Sequence, residues 1–77
     1  SRAYNESLVG KKLRILVTGK DRKAGYLSGL TEGKINVRFA CNRDDIIGKF
    51  QDIKIESATD FSLEGKLIMS EVVSMDM

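Results

Sequence analysis

The sequence predicts an all-β domain of five short strands, and three observations predict it. The dominant hydrophobic period is two rather than 3.6. Glycines recur at strand starts or inside strands, at positions 10, 29, 48 and 65. The chain contains no proline and no long amphipathic stretch of helical period. Glycine inside a strand marks a bulge, a sharp bend or a close backbone approach, and a small barrel needs such corners to close.

The elements follow in order. In the first strand Leu13, Ile15 and Val17 share one face and Lys12, Arg14 and Thr18 the other, with Leu16 as the exception. The polar segment Gly19–Gly25 leads to a second strand, Tyr26 to Thr31. Glu32-Gly33-Lys34 is a tight turn in which glycine tolerates positive φ. The third strand alternates cleanly, with Ile35, Val37, Phe39 and Cys41 inward and Asn36, Arg38 and Ala40 outward. Asn42 to Ile47 is a connection with room for one helical turn, capped by Asn42 or Asp44. The fourth strand sets Ile53 and Ile55 inward and Asp52, Lys54 and Glu56 outward. Phe50 has the wrong parity for the core, which calls for a bulge near Gln51 or a place at the barrel mouth. The fifth strand turns Leu63, Leu67 and Met69 inward around Gly65. The expected architecture is a small five-stranded antiparallel OB-like barrel, closed or partly open.

Residues 7–69 are assigned to the barrel. Ser1 to Glu6 reads as a linker to an upstream region. Residues 70–77 read as a fraying tail, with an edge strand through Val72 and Val73 as the alternative.

Size and composition narrow the function. A chain of 77 residues buries only about 60–65% of its unfolded surface, too small a core for a deep catalytic cleft. There is no histidine, which removes the commonest general base and metal ligand. The single cysteine, Cys41, makes no internal disulfide, in keeping with a reducing cytoplasm. It continues the inward parity of strand three, so a small buried hydrophobe is expected. Asp44-Asp45 is the only adjacent carboxylate pair and lies in a polar connection. No catalytic residue, metal ligand or membrane span is expected.

Charge is more informative. The formal net charge is +2, but residues 1–38 carry nine Lys/Arg against three Asp/Glu, whereas residues 39–77 carry four against eight. That asymmetry suggests one basic and one acidic surface, and basic surfaces attract phosphate backbones. The cations form groups: Lys11, Lys12 and Arg14; Lys20, Arg22 and Lys23; then Lys34 and Arg38. Strand one and the loops after strands one and two would set them on one side. Tyr26, Phe50 and Phe61 are candidates for stacking on unpaired bases, with Tyr26 the first of these. The acidic half (Asp44, Asp45, Asp52, Glu56, Asp60, Glu64) would instead favour a basic protein partner.

With Gly10, Gly29, Thr31, Gly48, Gly65 and the segment Ser62-Leu63-Glu64-Gly65 in hand, the chain resembles the TRAM domain, a small RNA-binding barrel. It is most similar to the version at the C-terminus of tRNA methylthiotransferases. It departs from the family pattern at Leu30, where the family often has the arginine of Gly-Arg-Thr. The resemblance implies docking on the anticodon arm of tRNA. It implies a parent enzyme with an upstream radical S-adenosylmethionine domain and 4Fe-4S clusters, none of whose cluster cysteines lie in these residues. That parent would methylthiolate isopentenyladenosine next to the anticodon. The sister enzymes acting on threonylcarbamoyladenosine or on a ribosomal protein share the pattern.

Overall fold

The computed structural model describes residues 2–68. The expectations for Met69, Val72, Val73 and the tail lie outside the described residues. Among the described residues five strands form: β1 (Lys12–Lys20), β2 (Tyr26–Leu30), β3 (Asn36–Ala40), β4 (Phe50–Ala58) and β5 (Ser62–Leu67). They close in the order β1-β2-β3-β5-β4, with β4 returning to β1.

The all-β barrel is therefore what the chain builds, with one refinement. Four of the strand pairs are antiparallel, but β3 and β5 run parallel along Asn36↔Ser62 to Phe39↔Gly65. The parallel seam arises because β5 lies between β3 and β4, so the chain passes from β3 to β5 through the 41–49 connection and β4, the crossover that parallel neighbours need. β1 is long enough to serve two neighbours. Its first half pairs with β4 and its second half with β2, and Leu16 lies opposite both Phe50 and Leu30.

Period-two alternation fills the interior. Ile15 and Val17 come from β1, Leu27 from β2, Val37 and Phe39 from β3, Ile53 and Ile55 from β4, and Leu63 from β5. Leu13, Ile35, Cys41 and Leu67 pack at the margins of this cluster. The 42–47 connection forms turns rather than a helix and carries buried Ile46 into the core. Gly48 closes those turns at φ 90°, a conformation that favours glycine.

Two local expectations change. There is no bulge at Gln51: Phe50 obeys the outward parity of Asp52 and Lys54 and is 58% exposed. The register breaks occur between Ile55 and Ser57 and between Val17 and Gly19. In the β2–β3 turn the left-handed residue is Lys34, at φ 66°, not Gly33. Thr31 holds that turn, accepting from the Ile35 amide at 3.1 Å through its hydroxyl and from the Lys34 amide at 2.8 Å through its carbonyl.

Residues 2–6, expected as linker, form a short helix, α1 (Arg2–Glu6). Asn5 is 3% exposed, and its side-chain amide donates to the Thr59 carbonyl at 2.8 Å and the Asp60 carbonyl at 3.3 Å. A buried amide is tolerable when its hydrogen bonds are made, and these bonds seat α1 against the β4–β5 turn.

Candidate nucleic-acid interface

The structure separates the cations that the sequence groups together. Antiparallel pairing puts the loop before β2 and the turn after it at opposite ends of that strand. Lys12 and Lys20 lie at opposite ends of β1, eight residues apart, which is about 26 Å of strand. No single patch holds the expected set.

At one end, Lys20, Lys23 and Tyr26 line a cavity of about 360 Å³ with Asp21, Cys41 and Asp44. Much of the positive charge there is already engaged. Lys23 Nζ sits 4.4 Å from the centre of the Tyr26 ring, Lys20 lies 3.8 Å from Asp44, and Arg38 lies 2.8 Å from Asp21. The Arg38 Nε is buried and its N–H points off the line to that oxygen, so this is an ion pair without a well-directed hydrogen bond. Arg22 is exposed in the loop.

Asp21 organises this end. It accepts from the Ser28 hydroxyl at 2.6 Å and from the Lys23 amide at 3.0 Å. The Ser28 bond is the largest reason its carboxyl titrates below the ordinary 3.8. The Lys23 amide and the Arg38 charge act in the same direction, and burial opposes them. A carboxylate with a depressed folded-state pKa adds stability that is complete above the unfolded value and is lost as pH falls through the folded one. We expect carbon-detected NMR to place the Asp21 titration below the ordinary value, and Ser28→Ala to raise it. An unchanged Asp21 titration in that variant would refute the assignment.

Asp44 and Asp45 are both exposed and each faces a cation, Lys20 and Arg43 respectively. Asp45 takes two bonds from the Arg43 guanidinium, at 3.0 and 2.7 Å, and that partner holds its carboxyl below the usual range. Cys41 is half-buried, with its sulfur accepting from the Arg43 amide at 3.4 Å. Among the described residues no three His, Cys, Asp or Glu side chains cluster to hold a metal ion. An iron–sulfur cluster takes cysteine thiolates, usually four. One cysteine and no histidine do not supply such a site. No helix among the described residues is long and apolar enough to cross a membrane.

The other face is built by the outward side of β1 and its neighbours in three successive rows. The first row is apolar: Leu30, Leu16 and Phe50 are register partners across β2, β1 and β4. Leu16 is 37% and Phe50 58% exposed. With Arg14, Thr31, Glu32 and Lys34 they line a groove of about 530 Å³. Leu30 stands where the family arginine is absent, and its side chain extends this apolar row. The second row is Arg14 opposite Asp52, with the Arg14 guanidinium carbon 5.2 Å from the Phe50 ring centre. The third row is Lys12 opposite Lys54, which lies opposite Lys66. Lys11 immediately precedes it.

Lys54 and Lys66 escape a reading of the sequence because alternation gives their face but not their register. The expected division into a basic and an acidic surface also fails. β4, from the acidic half, pairs with β1, from the basic half, so charges of both signs interleave. Phe61, the remaining stacking candidate, is 86% exposed in the β4–β5 turn, away from these rows.

The family model described as TRAM domain matches residues 6–68. The chain belongs to the TRAM domain family. This TRAM domain is 50% identical over 66 residues to the tRNA-2-methylthio-N(6)-dimethylallyladenosine synthase of Saccharophagus degradans, covering 84% of the chain and 14% of that protein. It is 46% identical over 71 residues to the synthase of the same name from Cellvibrio japonicus, covering 91% and 16%. The corresponding Legionella pneumophila protein is 41% identical over 70 residues, covering 90% and 15%. The TRAM domain thus spans about one-seventh of the length of these relatives.

Proposed function

We propose that this domain is the RNA-docking module of a tRNA methylthiotransferase acting on isopentenyl-modified (dimethylallyl) adenosine. It grips the anticodon arm in the cytoplasm while other domains carry out the transfer. The observation that carries this reading is 41–50% identity, over most of the chain, to synthases named for that product. The 4Fe-4S clusters and S-adenosylmethionine belong to the upstream radical domain of such an enzyme. This chain contributes binding and orientation: cations contact phosphates, and an exposed aromatic can take a base.

The test is an NMR titration of the 77-residue chain with an anticodon stem-loop at low and moderate salt. Shifts on Lys11–Arg14 and their strand partners, fading as salt rises, are the expected result. No shifts at low salt would overturn it.

One observation favours a second reading. The row Leu30, Leu16 and Phe50 is apolar and exposed enough to pack against the catalytic domain of the same enzyme. Crosslinks from Phe50 to protein and never to RNA would favour that reading.

A further inference from the structure

The third row of the β1 face has an unusual composition. Like charges directly opposite each other on adjacent strands destabilise a sheet. Here three lysines stand side by side on three strands, Lys12, Lys54 and Lys66. All three are exposed, and none forms an ion pair with the described residues. Asp52, Glu56 and Glu64 are near in sequence, yet none comes within 4 Å of a lysine of the row. At the far end of the barrel, by contrast, Lys20 and Arg38 are paired with Asp44 and Asp21.

We propose that Lys12, Lys54 and Lys66 form a phosphate-binding row, and that RNA crosses the outer face of β1, β4 and β5 instead of the 21–25 loop. The proposal rests on the RNA-docking reading above and names the face that serves it. Neighbouring strands are about 4.8 Å apart, so the row spans about 10 Å across the strands. An anionic backbone laid along it relieves the repulsion between the lysines and releases its own counterions. Along β4, Lys54 lies four residues from Phe50, about 13 Å. A strand held by its phosphates on the row can therefore reach the aromatic with an unpaired base. That pairing of a cationic track with a stacking platform selects single-stranded RNA over duplex.

The experiment compares two double variants of equal charge loss in the 77-residue chain. One is Lys54→Gln with Lys66→Gln, the other Arg22→Gln with Lys23→Gln. Binding to an anticodon stem-loop is followed by fluorescence anisotropy over a series of KCl concentrations. Each lost phosphate contact on a single strand reduces the slope of log K against log salt by about 0.7, so the row variant should lose about 1.4 and the loop variant little. Lys54→Arg with Lys66→Arg should restore the slope, which separates lost charge from lost fold. Equal slope losses in both variants, or no loss in the row variant, would overturn the row.

A wild-type chain that binds no RNA at low salt would defeat the docking reading. The row is then decided by titration with tripolyphosphate. Amide shifts centred on Lys12, Lys54 and Lys66 sustain it, and shifts centred on the loop or absent altogether overturn it.

Discussion

Gly65→Ala is expected to lower the melting temperature by about 12–24 °C, corresponding to about 3 kcal/mol in a domain of this size. Gly65 lies in β5 opposite Ile55 and Phe39, where β4 and β5 come together just before their register shifts. A Cβ at this position would collide with the Lys54 carbonyl oxygen and approach Ile53 Cγ2 at 2.6 Å. The carbonyl belongs to the strand backbone and cannot swing away as a side chain could. Overpacking of this kind costs about 1–3 kcal/mol and occasionally more, and a backbone obstacle puts this case at the upper end. Gly19→Ala supplies the control. Its Cβ meets nothing within 4 Å, and alanine in a strand is about 0.5–1 kcal/mol better than glycine. Thermal unfolding followed by circular dichroism measures both. A Gly65→Ala domain that melts with wild type would show that β4 and β5 do not approach as described.

Gly65 also shows what the sequence could and could not reveal. A glycine inside an otherwise alternating strand signals a close approach, and that inference needs no partner. The identity of the approaching atom depends on register, which alternation does not encode. The core was legible for the same reason. Ile15, Val17, Val37, Phe39, Ile53, Ile55 and Leu63 are fixed by parity alone, and all are buried. Phe50 is out of place only on the premise that an aromatic belongs inside. Its parity matches Asp52 and Lys54, and the simple reading, outward and exposed, is the correct one. Asn5 and α1 were out of reach for a different reason. Their placement depends on carbonyls more than fifty residues away, and no local pattern announces a contact of that range.

The candidate site was less legible than the fold. Sequence proximity groups Lys20, Arg22 and Lys23, but three-dimensional neighbours decide how much charge is available. Asp44 and Asp21 engage two of the cations around that loop. The lysines of β4 and β5 that form no ion pair with the described residues are isolated in sequence, with apolar and acidic residues nearby. Barrel closure brings them beside Lys12. A surface made of register partners from three strands cannot be read from any one of them.

Phe50→Ala is expected to weaken binding of an anticodon stem-loop by about fivefold to 150-fold, the range given by the ~1–3 kcal/mol that a stacked base loses on alanine substitution. The ring is 58% exposed and belongs to a regular strand, so its position is set by the β1–β4 register. Arg14 lies over it at 5.2 Å, which restricts the ring and places a cation beside any phosphate attached to the stacked base. Phe61→Ala should change affinity little even though Phe61 is more exposed, at 86%, because among the described residues no cation lies over its ring and it sits in a turn. The comparison separates a stacking platform from general surface hydrophobicity. Loss of affinity in both variants would point to nonspecific apolar attraction. Retention of RNA affinity in Phe50→Ala, with weakened association to the catalytic domain of the parent enzyme, would assign the apolar row to domain packing. Truncating an outward side chain leaves no cavity, so the Phe50→Ala domain should melt close to wild type and its binding loss should report on the RNA contact itself.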